Sequence, residues 1–336
     1  MILMKVFVSI PKVGGVADTF LTPEVRDLMA NLFEVEYSPL ERNITADEFK
    51  EYVKDADVVM TGWGHPQITY DMINGTNIKA IAHTGGSVGS LVTPDVYDNG
   101  IMVMSGNLMY ADSVAEGTIA YILTALRDIP KYTNSVRNGG WQFGGDYTEG
   151  LLDGEIGIIG MGAISKFLIE FLQPLRVKIK AYSGYPIDPE FLAKYNVTQV
   201  SLEEALQCKV VSLHSAMNER TRGLIGKEQF KLIKDGAVFV NTARGRVVDE
   251  PAMIEELKTG RFKAILDVYY HEPLEADSPL RTLENVYCIP HLAGPTVDRR
   301  AKITAALAKN IVDWAEGKEV YLEITKEQAA RMTVGG

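Results

Sequence analysis

The sequence predicts an α/β protein built from two doubly wound parallel-sheet domains. Three observations carry that expectation. Short β-branched apolar runs alternate with longer helical stretches from end to end, which is the pattern of parallel strands joined by crossover helices. A glycine turn, Gly160-Met161-Gly162, closes one such strand and opens a helix. The chain has 336 residues, which suits about two domains.

Strand-like runs occupy 5–10, 34–38, 58–61, 80–84 and 102–105 in the first part of the chain. Later ones occupy 157–160, 177–182, 210–215, 237–242, 264–268 and 286–289. Helical patterns fall between them at 23–32, 46–52, 165–172, 202–206, 227–232 and 252–257. Pro23 suits a first helical position, where its missing N–H is not needed. A long helical pattern runs on from Val114, and another covers 299–315. Seams are expected near Ala111–Ser113 and near Gly294-Pro295-Thr296, so residues 1–112 and 296–336 form one domain and 113–295 the other. Gly139, Gly140, Gly144 and Gly145 mark a loop ahead of the strand at Gly157.

Composition excludes several classes. Lys plus Arg number 34 against 44 Asp plus Glu, a net charge of −10, which disfavours a phosphate-tracking surface and hence nucleic acid. The apolar start, Met1 to Ile10, is too short for a secretory segment and reads as a first buried strand. No run of about 18 apolar residues suggests a membrane span. Cys208 and Cys288 are far apart and give neither a disulfide framework nor a metal-ligand spacing; both read as apolar fillers in a reducing cytoplasm.

The turn after the strand at 157–160 has the chemistry of a phosphate cradle. Gly160 permits a tight turn and Gly162 a close backbone approach, while the N–H groups of Ala163 and Ile164 open a helix. Ser165 stands where a third glycine is usual. About twenty residues on, where an acid commonly holds an adenosine ribose, the chain reads Ser183-Gly184-Tyr185-Pro186. Serine can bond a ribose hydroxyl and does not repel a 2′-phosphate. No arginine follows within that loop. The cofactor is therefore NAD or NADP, with NAD slightly favoured.

Five motifs follow in order: Gly160 to Ser165; Val211-Ser212-Leu213-His214; Asn241-Thr242-Ala243-Arg244-Gly245; Asp267-Val268 with Glu272-Pro273; and Pro290-His291-Leu292-Ala293-Gly294. Together they resemble the D-isomer-specific 2-hydroxyacid dehydrogenases, from about Val58 to Trp314. The resemblance implies a Rossmann cofactor domain inserted into a flavodoxin-like substrate domain, and a homodimer. It implies that Arg244, Glu272 and His291 are catalytic. Ala163 and Ile164, with the turn at Gly160 and Gly162, would meet the pyrophosphate, and Ser183 the adenosine ribose. His214, Ala216 and Thr221 would lie on the adenosine side. Thr242, Ala243 and Asp267 would lie towards the nicotinamide, and Gly294 would also bind the cofactor. Gly86, Ser87 and Val88 would hold the substrate carboxylate together with Arg244. The chain departs from the family pattern at Ser165, at Ser183, and at Ala216, where proline is usual.

The implied reaction is hydride exchange between the cofactor and a small 2-oxo acid or D-2-hydroxy acid, of glyoxylate, hydroxypyruvate or pyruvate type. Imidazole titrates near neutrality, so His291 suits proton donation to a carbonyl oxygen. A carboxylate at Glu272 would orient the ring, and the planar fork of Arg244 suits a carboxylate. Taken alone, a histidine ending an apolar strand is more often structural; the order of the motifs is what singles out His291. His271 and Arg246 are weaker competitors, with Arg246 expected on the surface. His65 and His83 fall in first-domain loops, and Trp63-Gly64-His65 is either a pocket wall or a plain surface loop. The alternative function is a nucleotide-sensing corepressor-like binding protein of the same fold. A phosphoglycerate-type enzyme often carries a regulatory domain, for which the chain after Trp314 is too short.

Overall fold

Residues of the central strands are buried on both faces, and their alternation shows how. In the computed structural model, which describes residues 4–141 and 148–334, the chain divides into two units. One comprises Met1–Tyr110 with Pro295–Gly336, and the other comprises Ala111–Gly294. Met1 to Leu3, Gly144 and Gly145 lie outside the described residues.

The first unit holds β1 (Lys5–Ser9), β2 (Glu34–Tyr37), β3 (Val58–Thr61), β4 (Ala80–His83) and β5 (Met102–Ser105). All four pairings are parallel, in the order β2-β1-β3-β4-β5. Val6, Val8, Val58, Met60, Ala80 and Ala82 pack into one cluster with Phe20, Met29 and Ile303. Their neighbours Phe7, Val59, Ile81 and Val103 join a second cluster with Phe49, Ile68 and Val96. Side chains alternate across a strand, so these two sets lie on opposite faces of the sheet. That is the doubly wound, flavodoxin-like arrangement. The helix Pro23–Leu32 begins as expected, with Pro23 in its first turn and the Thr22 hydroxyl accepting from the Val25 N–H. The helix Val297–Ala315 contributes Ile303, Leu307 and Ile311 to the first cluster.

The second unit holds β6 (Glu155–Ile159), β7 (Lys178–Tyr182), β8 (Val197–Gln199), β9 (Val210–Leu213), β10 (Val238–Asn241), β11 (Lys263–Leu266) and β12 (Val286–Cys288). The order is β12-β11-β10-β9-β6-β7-β8, again all parallel. From β6 the chain steps out to β7 and β8, then returns to the other side of β6 and continues outward. That reversal beside β6 is the topological switch of a Rossmann sheet, where such folds bind ligands. Val211, Leu213, Phe239, Ala264 and Leu266 face one core, where Phe230 packs edge-on to Phe239 at 5.6 Å. Ile156, Ile158, Val210, Val238, Val240 and Ile265 face the other. Each such side chain, fully buried, contributes roughly 1.5–3 kcal/mol.

Several details differ from the sequence expectation, among them short helices such as Val16–Phe20, Pro94–Asp98 and Pro189–Tyr195. β8 escapes a pattern search because it has three residues, of which Thr198 and Gln199 are exposed. The helix expected from Val114 starts at Asn107, where the Ser105 hydroxyl accepts the Asn107 N–H. His83 is the last residue of β4, inside the run expected at 80–84 and not in a loop. Among the described residues, no helix is long and apolar enough to cross a membrane, and no group of three His, Cys, Asp or Glu could hold a metal ion.

Gly157 shows how tightly the second sheet is covered. A Cβ there would lie 1.9 Å from the carbonyl oxygen of Ala205, in the helix Leu202–Leu206. The variant Gly157→Ala should therefore lose roughly 1–3 kcal/mol or more, because backbone cannot give way as a side chain can. Urea unfolding measures it, and an unchanged midpoint would contradict the packing described.

Candidate active site

The carboxyl ends of five neighbouring strands stand in one row. Ile159 of β6 pairs with Leu213 of β9, Leu213 with Asn241 of β10, Asn241 with Leu266 of β11, and Leu266 with Cys288 of β12. Each motif from the sequence reaches, or lies just beyond, this row. Strands lie about 4.8 Å apart, so the register alone gathers Arg244, Asp267, Glu272 and His291 at one end of three adjacent strands.

Local bonds then aim each group. After β10, the Asn241 carboxamide accepts from the Ala243 N–H at 3.0 Å and donates to the Arg244 carbonyl at 3.3 Å. The Arg244 guanidinium donates to the Ala243 carbonyl at 2.7 Å. Gly245 is required by close approach: a Cβ would fall 2.0 Å from the carbonyl carbon of Tyr269. The segment after β11 thus runs directly against the arginine loop. There, the Tyr269 N–H donates to Glu272 Oε1 at 3.1 Å, and the Tyr270 N–H to Glu250 at 2.9 Å. The Tyr269 hydroxyl reaches the Leu266 and Ile289 carbonyls at 2.8 and 3.0 Å, tying β11 to β12.

Asp267 holds the histidine loop. Its side chain is buried, and its carboxylate accepts the N–H groups of Leu292 at 2.7 Å and Ala293 at 3.0 Å. The Tyr121 hydroxyl adds a longer bond of 3.3 Å. Burial raises the Asp267 carboxyl above its ordinary value, opposed by the Ala293 and Leu292 N–H groups and the charge of His291. His291 itself sits at φ +53°, a conformation uncommon for a residue other than glycine. It is held there by bonds to the segment that follows β11, from Asp267 to the Leu292 and Ala293 N–H groups and from Glu272 to its own ring.

The outcome is a hydrogen bond of 2.6 Å between His291 Nδ1 and Glu272 Oε2. With Nδ1 so engaged, Nε2 is the ring atom left to meet a ligand. Burial alone would raise the Glu272 carboxyl. The bonds from His291 and the Tyr269 N–H, with the charges of His291 and Arg244, outweigh burial and hold it below its ordinary value. Burial pulls the Arg244 guanidinium below its ordinary value, with the Glu272 charge opposing, and it stays cationic at any physiological pH. The three groups can therefore present a proton and a fixed positive charge side by side. His271 and Arg246 are exposed, as the sequence reading had Arg246.

The glycine turn after β6 has the form of an anion cradle. Gly160 lies at φ +98°, and a Cβ on it would meet the Ser215 backbone nitrogen at 2.6 Å. The loop after β9 crosses directly over the turn. Gly162 caps the helix Ala163–Leu172 with no side-chain bond, and a Cβ there would meet open space. The first N–H groups of that helix face this opening, so an anion can approach them. Ser165 does more than fit: its hydroxyl donates to the Gly160 carbonyl at 2.6 Å, bracing the turn from inside. Ser183 follows β7, whose Tyr182 carbonyl accepts the Gly160 N–H at 2.8 Å.

Other predicted residues have defined settings. His214 is buried, with Nε2 2.8 Å from the Ser212 hydroxyl and Nδ1 without a hydrogen-bond partner. Burial lowers it to about 4, so the ring is neutral. The Thr221 hydroxyl donates to the Ala216 carbonyl at 2.5 Å and accepts the Asn218 N–H, closing the loop they share. Thr242 is buried beside Thr118, with hydroxyls 3.2 Å apart. Ala243 is buried, and a Cβ on Gly294 would meet open space.

Gly86, Ser87 and Val88 form a group of their own in the first unit, after β4. The Ser105 hydroxyl donates to the Gly86 carbonyl at 3.0 Å, and the Ser87 hydroxyl to the Thr333 carbonyl at 2.9 Å. Among the described residues the N–H groups of all three have no acceptor. His65 is not a plain surface-loop residue: it packs edge-on against Phe49 at 5.0 Å, and Nδ1 bonds the Pro66 carbonyl. Burial lowers His65 to about 4 and His83 to about 3. Asn241, Tyr269 and Tyr121 escaped the sequence reading. Asn241 opens a motif already noticed, but nothing local marks the two tyrosines.

Comparison with known proteins agrees with this geometry. The model of the NAD binding domain of the D-isomer specific 2-hydroxyacid dehydrogenases matches residues 119–293. The chain belongs to that family. It is 30% identical over 296 residues to a hydroxypyruvate reductase of Thermotoga maritima, covering 87% of this chain and 94% of that protein. It is 32% identical over 294 residues to a D-3-phosphoglycerate dehydrogenase of Methanocaldococcus jannaschii, covering 86% of this chain and 55% of that protein. The chain thus spans about half the length of the phosphoglycerate dehydrogenases it matches. Among solved structures, an acyclic imino acid reductase in complex with NADPH and D-arginine superimposes with a TM-score of 0.80. The match covers 96% of this chain and 100% of that one, at 23% identity, so the two share a fold.

The low Glu272 carboxyl has a consequence for acid stability. A depressed folded value means that the His291 pair stabilises above the ordinary glutamate range, about pH 4.3, and is lost as pH falls through the folded value. The melting temperature of the wild type should exceed that of Glu272→Gln at pH 7, and the gap should close on acidification below that point. A gap independent of pH would show that the pair contributes nothing through its charge.

Proposed function

We propose that this protein is a nicotinamide-dependent oxidoreductase that interconverts small 2-oxo acids and D-2-hydroxy acids. The observation that carries the proposal is the bond from Glu272 to His291 Nδ1, with Arg244 beside it at the end of the next strands. Proton transfer at a carbonyl needs a donor fixed in one tautomer and orientation. Glu272 fixes Nδ1 as the inner nitrogen, so Nε2 carries the transferable proton. Arg244 places a fixed positive charge where a carbonyl oxygen gains negative charge and where a carboxylate binds. In the reverse direction His291 accepts the proton.

The cradle at Gly160, Gly162, Ala163 and Ile164 fits a pyrophosphate, because a helix start with no side-chain cap follows a glycine whose Cβ position is open. A nicotinamide dinucleotide, when bound, supplies or accepts the hydride. On the same reading Ser183 and the loop of His214, Ala216 and Thr221 serve the adenosine side, while Thr242, Ala243 and Gly294 serve the nicotinamide side. Asp267 serves that side chiefly by fixing the histidine loop. The N–H groups of Gly86, Ser87 and Val88 are donors for the substrate carboxylate. Glyoxylate, hydroxypyruvate and pyruvate are the substrates to examine first. The matched relatives carry names of reductases and dehydrogenases, which favours turnover over a corepressor-like binding role. The family pattern extends the proposal to a homodimer in a reducing cytoplasm, where two free cysteines are at home.

Replacing His291 with Ala should lower kcat by roughly 10²–10⁴-fold with dinucleotide binding retained. Arg244→Lys should cost roughly 10–100-fold in kcat/KM, through loss of the planar fork. Steady-state rates with the three 2-oxo acids and both reduced cofactors measure each. Full activity in His291→Ala would remove the proton-donor role.

A further inference from the structure

The region beyond β7 holds a cation that its own loop does not supply. Arg220, from the loop after β9, places Nη1 3.4 Å from the Tyr185 hydroxyl. Three features bring it there. The loop crosses over the Gly160 turn at Ser215, which carries it from β9 past β6 towards β7. Met217 is buried and anchors the crossing. Asn218 and Thr221 then stiffen the tip: the Arg220 N–H donates to Asn218 Oδ1 at 3.0 Å, and Thr221 closes the loop onto Ala216.

Three further observations give the cation a use. Arg220 is exposed, and among the described residues it forms no ion pair. Ser183 accepts the Tyr185 N–H at 3.1 Å through its oxygen, which leaves its hydroxyl proton to donate. From Ser183 to Ile187 the chain has no acid, and the first carboxylate, Asp188, caps the helix Pro189–Tyr195 through the Glu190 N–H. The position therefore offers a hydroxyl donor and a guanidinium, with no carboxylate to accept two ribose hydroxyls. That donor set selects a phosphate over a diol.

We propose that Arg220 and Ser183 form a subsite for the 2′-phosphate of the adenosine ribose, so that the protein selects NADP(H) over NAD(H). The inference rests on the cofactor reading above and deepens it. It adds an arginine contributed across the sheet, where none follows Ser183 in the loop itself.

Calorimetry on the full chain with adenosine 2′,5′-bisphosphate and with 5′-AMP tests it without turnover. The bisphosphate should bind about tenfold or more tightly than 5′-AMP, the value of a charge-assisted bond at an exposed site. Arg220→Ala should remove that advantage and leave 5′-AMP affinity within about twofold. Ser183→Asp, which adds the carboxylate the loop lacks, should reverse the preference. Equal affinities in the wild type, or equal losses for both ligands in Arg220→Ala, overturn the subsite while leaving the dinucleotide reading intact. Binding of neither ligand overturns the dinucleotide reading and the subsite with it.

Discussion

The in-register parallel ladder of β6, β9, β10, β11 and β12 is the constraint on which the rest depends. It places five strand ends in one row, and each end delivers one piece of chemistry. A slip of one residue in any pair would turn that strand's side chains to the opposite core. Because both faces are packed, as the alternation of Val210 with Val211 and of Ile265 with Leu266 shows, such a slip would place every residue of the strand in the wrong layer. Burial on two faces therefore secures the register, and the register secures the site.

Above that row, precision comes from polar bonds made by residues that need not touch a ligand. Asp267 fixes the histidine loop through two backbone N–H groups. Asn241 folds the arginine loop back on itself, and the Tyr269 hydroxyl ties two strand ends. Close approaches complete the arrangement. Gly245 admits the backbone of Tyr269, and Gly160 admits the loop that carries Ser215. A side chain at either place would push apart the segments whose proximity makes the site.

Charge is distributed to the same end. The Glu272 carboxylate lies between an imidazole and a guanidinium and is held in its ionised form by both. The histidines elsewhere, half-buried His65 and buried His83 and His214, are neutral because burial penalises their charged forms. His291 is thereby set apart from these imidazoles: it is exposed and paired with a carboxylate.

What the sequence by itself determined is the part written in local pattern. β-Branched runs and helical spacing declared two parallel α/β sheets, and five short motifs named Arg244, Glu272 and His291, because each motif is contiguous and ends a strand. Elements without such a signature were not legible: β8 has one buried residue, and His65 occupies a loop whose burial depends on Phe49. The tertiary structure decided which residues meet across strands. The 2.6 Å His291–Glu272 bond, the hold of Asp267 on the histidine loop, and the arrival of Arg220 beside Tyr185 all join segments well apart in the chain. Such contacts are set by strand order, and strand order follows from how two cores are filled. That is a property of the whole sheet, not of any stretch of it.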